Sequence, residues 1–128
     1  MKKNIFGVLF ITATITTVFI LLYFNRPPAY LYKVLSVECW EQSKNYDKII
    51  LPEMDREFIH FSTKQQLNNI IEKFWKGVPT FMLLTVETKK LPGRLMYESN
   101  PGGTNKYYHL YDGSIPHEAI VETKIIEQ

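Results

Sequence analysis

The sequence predicts an α+β domain with two early helices, preceded by one transmembrane helix. Three observations carry that expectation. They are an uncharged run over residues 5–24, a one-sided apolar stripe at helical spacing around residue 70, and six short β-rich segments separated by Gly, Pro, Asn and Asp. A length of 128 residues suits a single domain. Aromatic residues at 14% and a near-balanced charge exclude a disordered chain. The lone Cys39 excludes a disulfide framework.

The apolar run comes first. Lys2 and Lys3 precede it, and Asn25, Arg26, Pro27 and Pro28 follow it. At about 1.5 Å per residue it reaches about 30 Å, the thickness of a hydrocarbon core. The hydroxyls of Thr12, Thr14, Thr16 and Thr17 can bond back to the preceding turn. The run exceeds a signal-peptide core, and bulky Tyr23-Phe24 stands where small residues would mark cleavage, so a retained signal anchor is favoured over a cleaved signal peptide. Two lysines before the run against Arg26 after it place the N-terminus in the cytoplasm and the C-terminal domain on the translocated side. The chain therefore divides into an anchor (1–25) with the lipid bilayer as partner through 5–24, a Pro-rich linker (26–29), and a soluble α+β domain (30–128). Without Lys2, Lys3 and Arg26, that domain holds 12 Lys+Arg against 13 Asp+Glu, and no basic cluster suggests DNA binding.

The domain opens with a strand over 30–37, aromatic and branched in content. Ser36 is placed to cap a short helix over 37–44, with Glu38 in its first turn. A second strand covers 58–62. A capping box, either Ser62 with Gln65 or Thr63 with Gln66, then opens a helix to about residue 76. Leu67, Ile70, Ile71 and Phe74 form its apolar stripe, with Phe74-Trp75 as core and rim. Gly77 is its natural stop and Pro79 lies just beyond. The nearly continuous apolar segment 80–87 reads as a central strand. Pro92-Gly93 is a turn, 95–98 a short strand, and 100–105 a Gly/Pro/Asn loop. Strands over 107–111 and 119–126 close the domain on either side of the Asp112-Gly113 turn.

Polar residues that interrupt these patterns are the candidate site. Side chains alternate faces along a strand, so His60 and Ser62 share one face with Phe58 while Ile59 and Phe61 share the other. His60 suits ligand contact or general acid–base work, or it is a structural histidine beside a helix-capping Ser62. Lys33 lies between Leu31 and Leu35, where it either snorkels to water or contacts an anion. Glu98 precedes Gly102-Gly103, which permits close backbone approach by a ligand, or it is an ordinary exposed carboxylate. His109 shares its face with Tyr107 and Tyr111, aromatic walls suited to a planar ligand or to an ordinary sheet edge. His60, His109, His117 and Cys39 show no recognised metal-ligand spacing. A phosphate-binding loop and a dinucleotide fingerprint are both lacking.

Leu31-Tyr32-Lys33-Val34, Phe58-Ile59-His60-Phe61-Ser62-Thr63 with Gln66, Tyr97-Glu98 with Gly102-Gly103, and His109-Leu110-Tyr111 together resemble the domain of unknown function 952 family. The resemblance runs over about residues 30–126. Met54-Asp55-Arg56-Glu57 departs from it, standing where relatives have a tighter lead into the Phe-Ile-His block. The resemblance implies an ADP-ribosyltransferase-like fold, a split, curved β-sheet whose active members bind NAD. It further implies that His60 and Ser62 face a nucleotide-like ligand, that Lys33 contacts it, and that Glu98, His109 and Tyr111 complete the pocket. His60, Glu98 and His109 are then the catalytic candidates. The family itself has no established activity, so two functions stand. One is a domain binding a small nucleotide-like ligand, and the other is an ADP-ribosyltransferase-like enzyme acting on NAD or a related nucleotide.

Overall fold

The structure, a computed structural model, describes residues 12–128 and the course of the helix that leads into them. That helix, α1, spans Ile5–Phe24. As the sequence suggests, the Thr16 and Thr17 hydroxyls donate back to the Thr12 and Ala13 carbonyls at 2.8 and 2.9 Å. The expectation of a transmembrane anchor is corrected. Among the described residues no helix is long and apolar enough to cross a membrane. The single-pass localisation and the orientation fall with it, and Lys2 and Lys3 lie outside the described residues.

The rest is an α+β fold. Strand β1 (Tyr30–Ser36) leads directly into helix α2 (Val37–Ser43). Strand β2 (Ile59–Phe61) precedes helix α3 (Leu67–Ile70), and strands β3 (Thr80–Glu87), β4 (Arg94–Ser99), β5 (Lys106–Tyr111) and β6 (Ile120–Glu127) complete the chain. They form two three-stranded antiparallel sheets, ordered β1-β3-β6 and β2-β5-β4. The implied single split sheet behind a membrane helix is thus replaced by two sheets and three helices. The sheets meet at Tyr32 and Ser62, whose backbones exchange two hydrogen bonds of 2.9 Å.

Alternation puts one face of each sheet into a shared core. Leu31, Leu35, Leu84 and Val86 come from the first sheet, and Ile59, Phe61 and Leu110 from the second. The central place of β3, flanked by β1 and β6, explains its nearly continuous apolar run. Ser36 caps α2 as expected, its Oγ accepting the Cys39 N–H at 3.1 Å. Buried Ser43 closes that helix by donating to the Cys39 carbonyl at 2.6 Å and accepting the Ile50 N–H at 2.8 Å.

The second helix departs from its expected form. After one α turn it widens into a π turn over Ile71–Trp75. The wider turn rotates the stripe off its 3.6-residue spacing. Trp75 then packs on Phe81 with ring centroids 5.3 Å apart, and Phe74 is left 54% exposed. Half of the Thr63/Gln66 capping box forms, with Gln66 Oε1 accepting the Thr63 N–H at 3.0 Å. Gly77 ends the helix at φ 82°.

Candidate functional site

Lys33 lies on the inner face of β1 and does not snorkel. Its Nζ is buried 2.6 Å from Asp55 Oδ2 and donates to the His60 carbonyl at 3.0 Å. Asp55 comes from a single 3-10 turn, Glu53–Asp55, and its side chain is fully enclosed. Its other oxygen, Oδ1, accepts from His60 twice: from Nδ1 at 2.8 Å and from the backbone N–H at 3.0 Å. Burial pushes the Asp55 carboxyl up. The His60 ring bond and the Lys33 charge outweigh that effect and hold the carboxyl below its usual range. Burial pushes the Lys33 ammonium below its usual value, against the attraction of Asp55.

His60 is 32% exposed and borders a cavity of about 340 Å³. Lys33 and Ser62 line the same space, as do Asn100 and Cys39. Tyr32, Phe74, Trp75 and Tyr107 supply aromatic wall, so the exposed Phe74 has a place in the site. With Nδ1 committed to Asp55, Nε2 is the ring edge His60 has left to offer.

Glu98, His109 and Tyr111 gather beside this cavity without lining it. His109 stands opposite His60 in the β2–β5 register and is completely buried. Its Nδ1 donates to Glu98 Oε1 at 3.0 Å, and the Tyr111 hydroxyl donates to the same oxygen. Those two bonds, the Tyr111 one foremost, hold the Glu98 carboxyl below its usual range, and the bond to Glu98 pushes the Tyr111 hydroxyl up. Phe58 stacks on His109 at 4.1 Å and also touches the rings of His60 (4.8 Å) and Tyr111 (5.1 Å).

The six sequence candidates thus sort into two neighbouring groups, Lys33, His60 and Ser62 on the cavity and Glu98, His109 and Tyr111 behind it. Sequence reasoning missed Asp55, Asn100 and Cys39. A buried lysine requires an acidic partner, and Asp55, five residues before His60, was within reach of that argument. The cavity stands at the small end of the about 300–1,000 Å³ range for ligand pockets.

The profile of a family described as "Protein of unknown function (DUF952)" matches residues 34–123. No curated protein matches the chain. The crystal structure of protein CC0527 from Caulobacter crescentus is similar at 26% identity and a TM-score of 0.67, covering 77% of this chain and 86% of that one. Its solution NMR structure matches at 25% identity and the same TM-score, covering 78% and 86%. The similarity lies with that family fold, and these matches lend no support to the ADP-ribosyltransferase-like assignment.

Proposed function

We propose, from the premise that this chain belongs to the DUF952 family, whose function is unknown, that residues 30–128 form a binding domain for a small nucleotide-like ligand. The observation that carries this reading is His60, fixed by Asp55 through Nδ1 and open to an aromatic-walled cavity. A flat base fits against Phe74, Trp75 and Tyr107 by stacking. The His60 Nε2 and Ser62 hydroxyl serve the polar part of the ligand. Lys33 and Asp55 cancel each other's charge, so the site recognises through hydrogen bonds more than through net charge.

Calorimetric titration of the full-length chain with AMP, ADP-ribose and NAD tests this. Binding at micromolar to sub-millimolar concentration, lost in His60→Ala, is expected, with the mononucleotide bound at least as well as NAD. The chain's one cysteine gives a second readout. Cys39 lines the cavity, so a bound ligand slows its alkylation. Absence of binding and of protection at millimolar ligand overturns the reading.

One observation favours a catalytic version. A carboxylate-held imidazole with a free edge is the arrangement of a general base. Under that reading His60 takes a proton at Nε2 and Asp55 steadies the imidazolium. Chromatography of NAD and ADP-ribose incubated with the protein distinguishes turnover from binding alone.

A further inference from the structure

Sheet β1-β3-β6 ends in an open edge at β6 (Ile120–Glu127), with which no further strand pairs among the described residues. The register of β6 with β3 is unbroken from Glu122 to Glu127, with one bulge just before it. Beyond β6, the Gln128 N–H bonds the Pro79 carbonyl at 2.9 Å. By the alternation of an antiparallel pair, the even-numbered residues of this stretch turn their backbone groups to β3. Thr123, Ile125 and Glu127 turn theirs to the open edge. Such a row of unpaired N–H and C=O groups is a template for another strand. Val121 and Ile125 stand 50% and 59% exposed along it, apolar side chains that the fold leaves uncovered.

The charges on β6 say which strand fits. A lysine in the middle of an edge ordinarily discourages pairing. Among the described residues Lys124 has no carboxylate partner, and Glu122 meets only the Thr85 hydroxyl, at 3.5 Å. An antiparallel pairing of β6 with itself, centred on Thr123, answers both. Glu122 then falls opposite Lys124 of the second copy, Lys124 opposite Glu122 of the second copy, and Val121 opposite Ile125 on both sides of the centre. Moving the centre by one residue sets Glu122 or Lys124 against itself. One register is therefore favoured and its neighbours are opposed. The open edge of the other sheet, β4, is shorter, and its Glu98 is already bonded to His109 and Tyr111.

We infer that β6 is a self-pairing edge, through which two copies of this chain join their β1-β3-β6 sheets about a two-fold axis at Thr123. Sedimentation equilibrium of the full-length chain tests this. It is run at low ionic strength, where exposed charge pairs are least screened. Density-matched nonionic detergent covers the exposed apolar side chains of α1. The parent forms a dimer that dissociates on dilution. Glu122→Lys and Lys124→Glu each set like charges opposite one another on both sides of the centre, and each weakens the dimer about tenfold or more. Mixed together, the two single variants pair with each other as tightly as the parent pairs with itself, because every cross-strand charge contact is again between opposites. The double variant Glu122→Lys/Lys124→Glu dimerises for the same reason. A parent that stays monomeric at about 100 μM overturns the inference. A dimer that either single variant leaves intact overturns it too, as does a mixture of the two that stays monomeric.

Discussion

His60 and His109 face each other across the β2–β5 pair with ring centroids 5.2 Å apart, and each ring is tied through Nδ1 to a carboxylate of its own. Asp55 holds the first at 2.8 Å and Glu98 the second at 3.0 Å. In its neutral form each ring therefore carries its proton on Nδ1 and leaves Nε2 as acceptor. Nitrogen-15 NMR of histidine-labelled protein is expected to show the Nδ1–H tautomer twice. Asp55→Ala returns His60 to a tautomer mixture and leaves His109 as it was. An Nε2–H signature for His60 in the parent would contradict the arrangement.

Asp55 also balances a buried cation. Replacing it with Ala leaves Lys33 enclosed with the His60 carbonyl and no counter-charge. The expected loss of stability is about 3–5 kcal/mol, the cost of breaking one side of a buried pair. Joining it to Lys33→Met removes the stranded charge and recovers most of that loss. Urea unfolding of the two single variants and the double variant checks both statements, and simple additivity would refute them.

The same carboxylate sets an acid limit. Asp55 titrates lower in the folded chain than in the unfolded one. The unfolded state thus takes up its proton first as pH falls, and acid favours unfolding. The Asp55 contribution is whole above the ordinary carboxylate range and disappears as pH drops through the lower folded value. Melting temperatures from about pH 5 down to about pH 2 are expected to fall more steeply for the parent than for Asp55→Asn. Parallel curves would assign the acid limb to other groups.

Two glycines give a steric contrast. A Cβ on Gly113 would press into the Pro92 carbonyl and lie 2.8 Å from the Leu110 side chain, which belongs to the core. Gly113→Ala is expected to cost about 3 kcal/mol or more. At Gly77 a Cβ meets nothing within 4 Å, and only its φ of 82° opposes a side chain, so Gly77→Ala costs about 1–2 kcal/mol. Thermal melts of the two variants rank them.

Much of this fold was legible because its signals are local. The Ser36 cap, the Gly77 stop and the apolar run of β3 each depend on neighbours within a few residues. The inward Ile59 and Phe61, with His60 between them, follow from strand alternation alone. The π turn was not legible, since a 3.6-residue period assumes the helix stays α throughout. Asp55 was hidden in the charged stretch Met54-Asp55-Arg56-Glu57, where only the partner 22 residues earlier on β1 shows why it is buried. The apolar run near the N-terminus was read from length and hydropathy as a membrane span, and among the described residues no helix is long and apolar enough to cross a membrane.

The reciprocal Tyr32–Ser62 bonds make the seam between the two sheets a fulcrum. Ser62 belongs to that fulcrum and to the cavity wall at once. A group occupying the cavity beside Ser62 would therefore sit against the join between the two sheets. That join consists of two backbone hydrogen bonds, and beside it the Lys33 ammonium reaches across to the His60 carbonyl. Cavity wall and sheet junction are thus built from one residue.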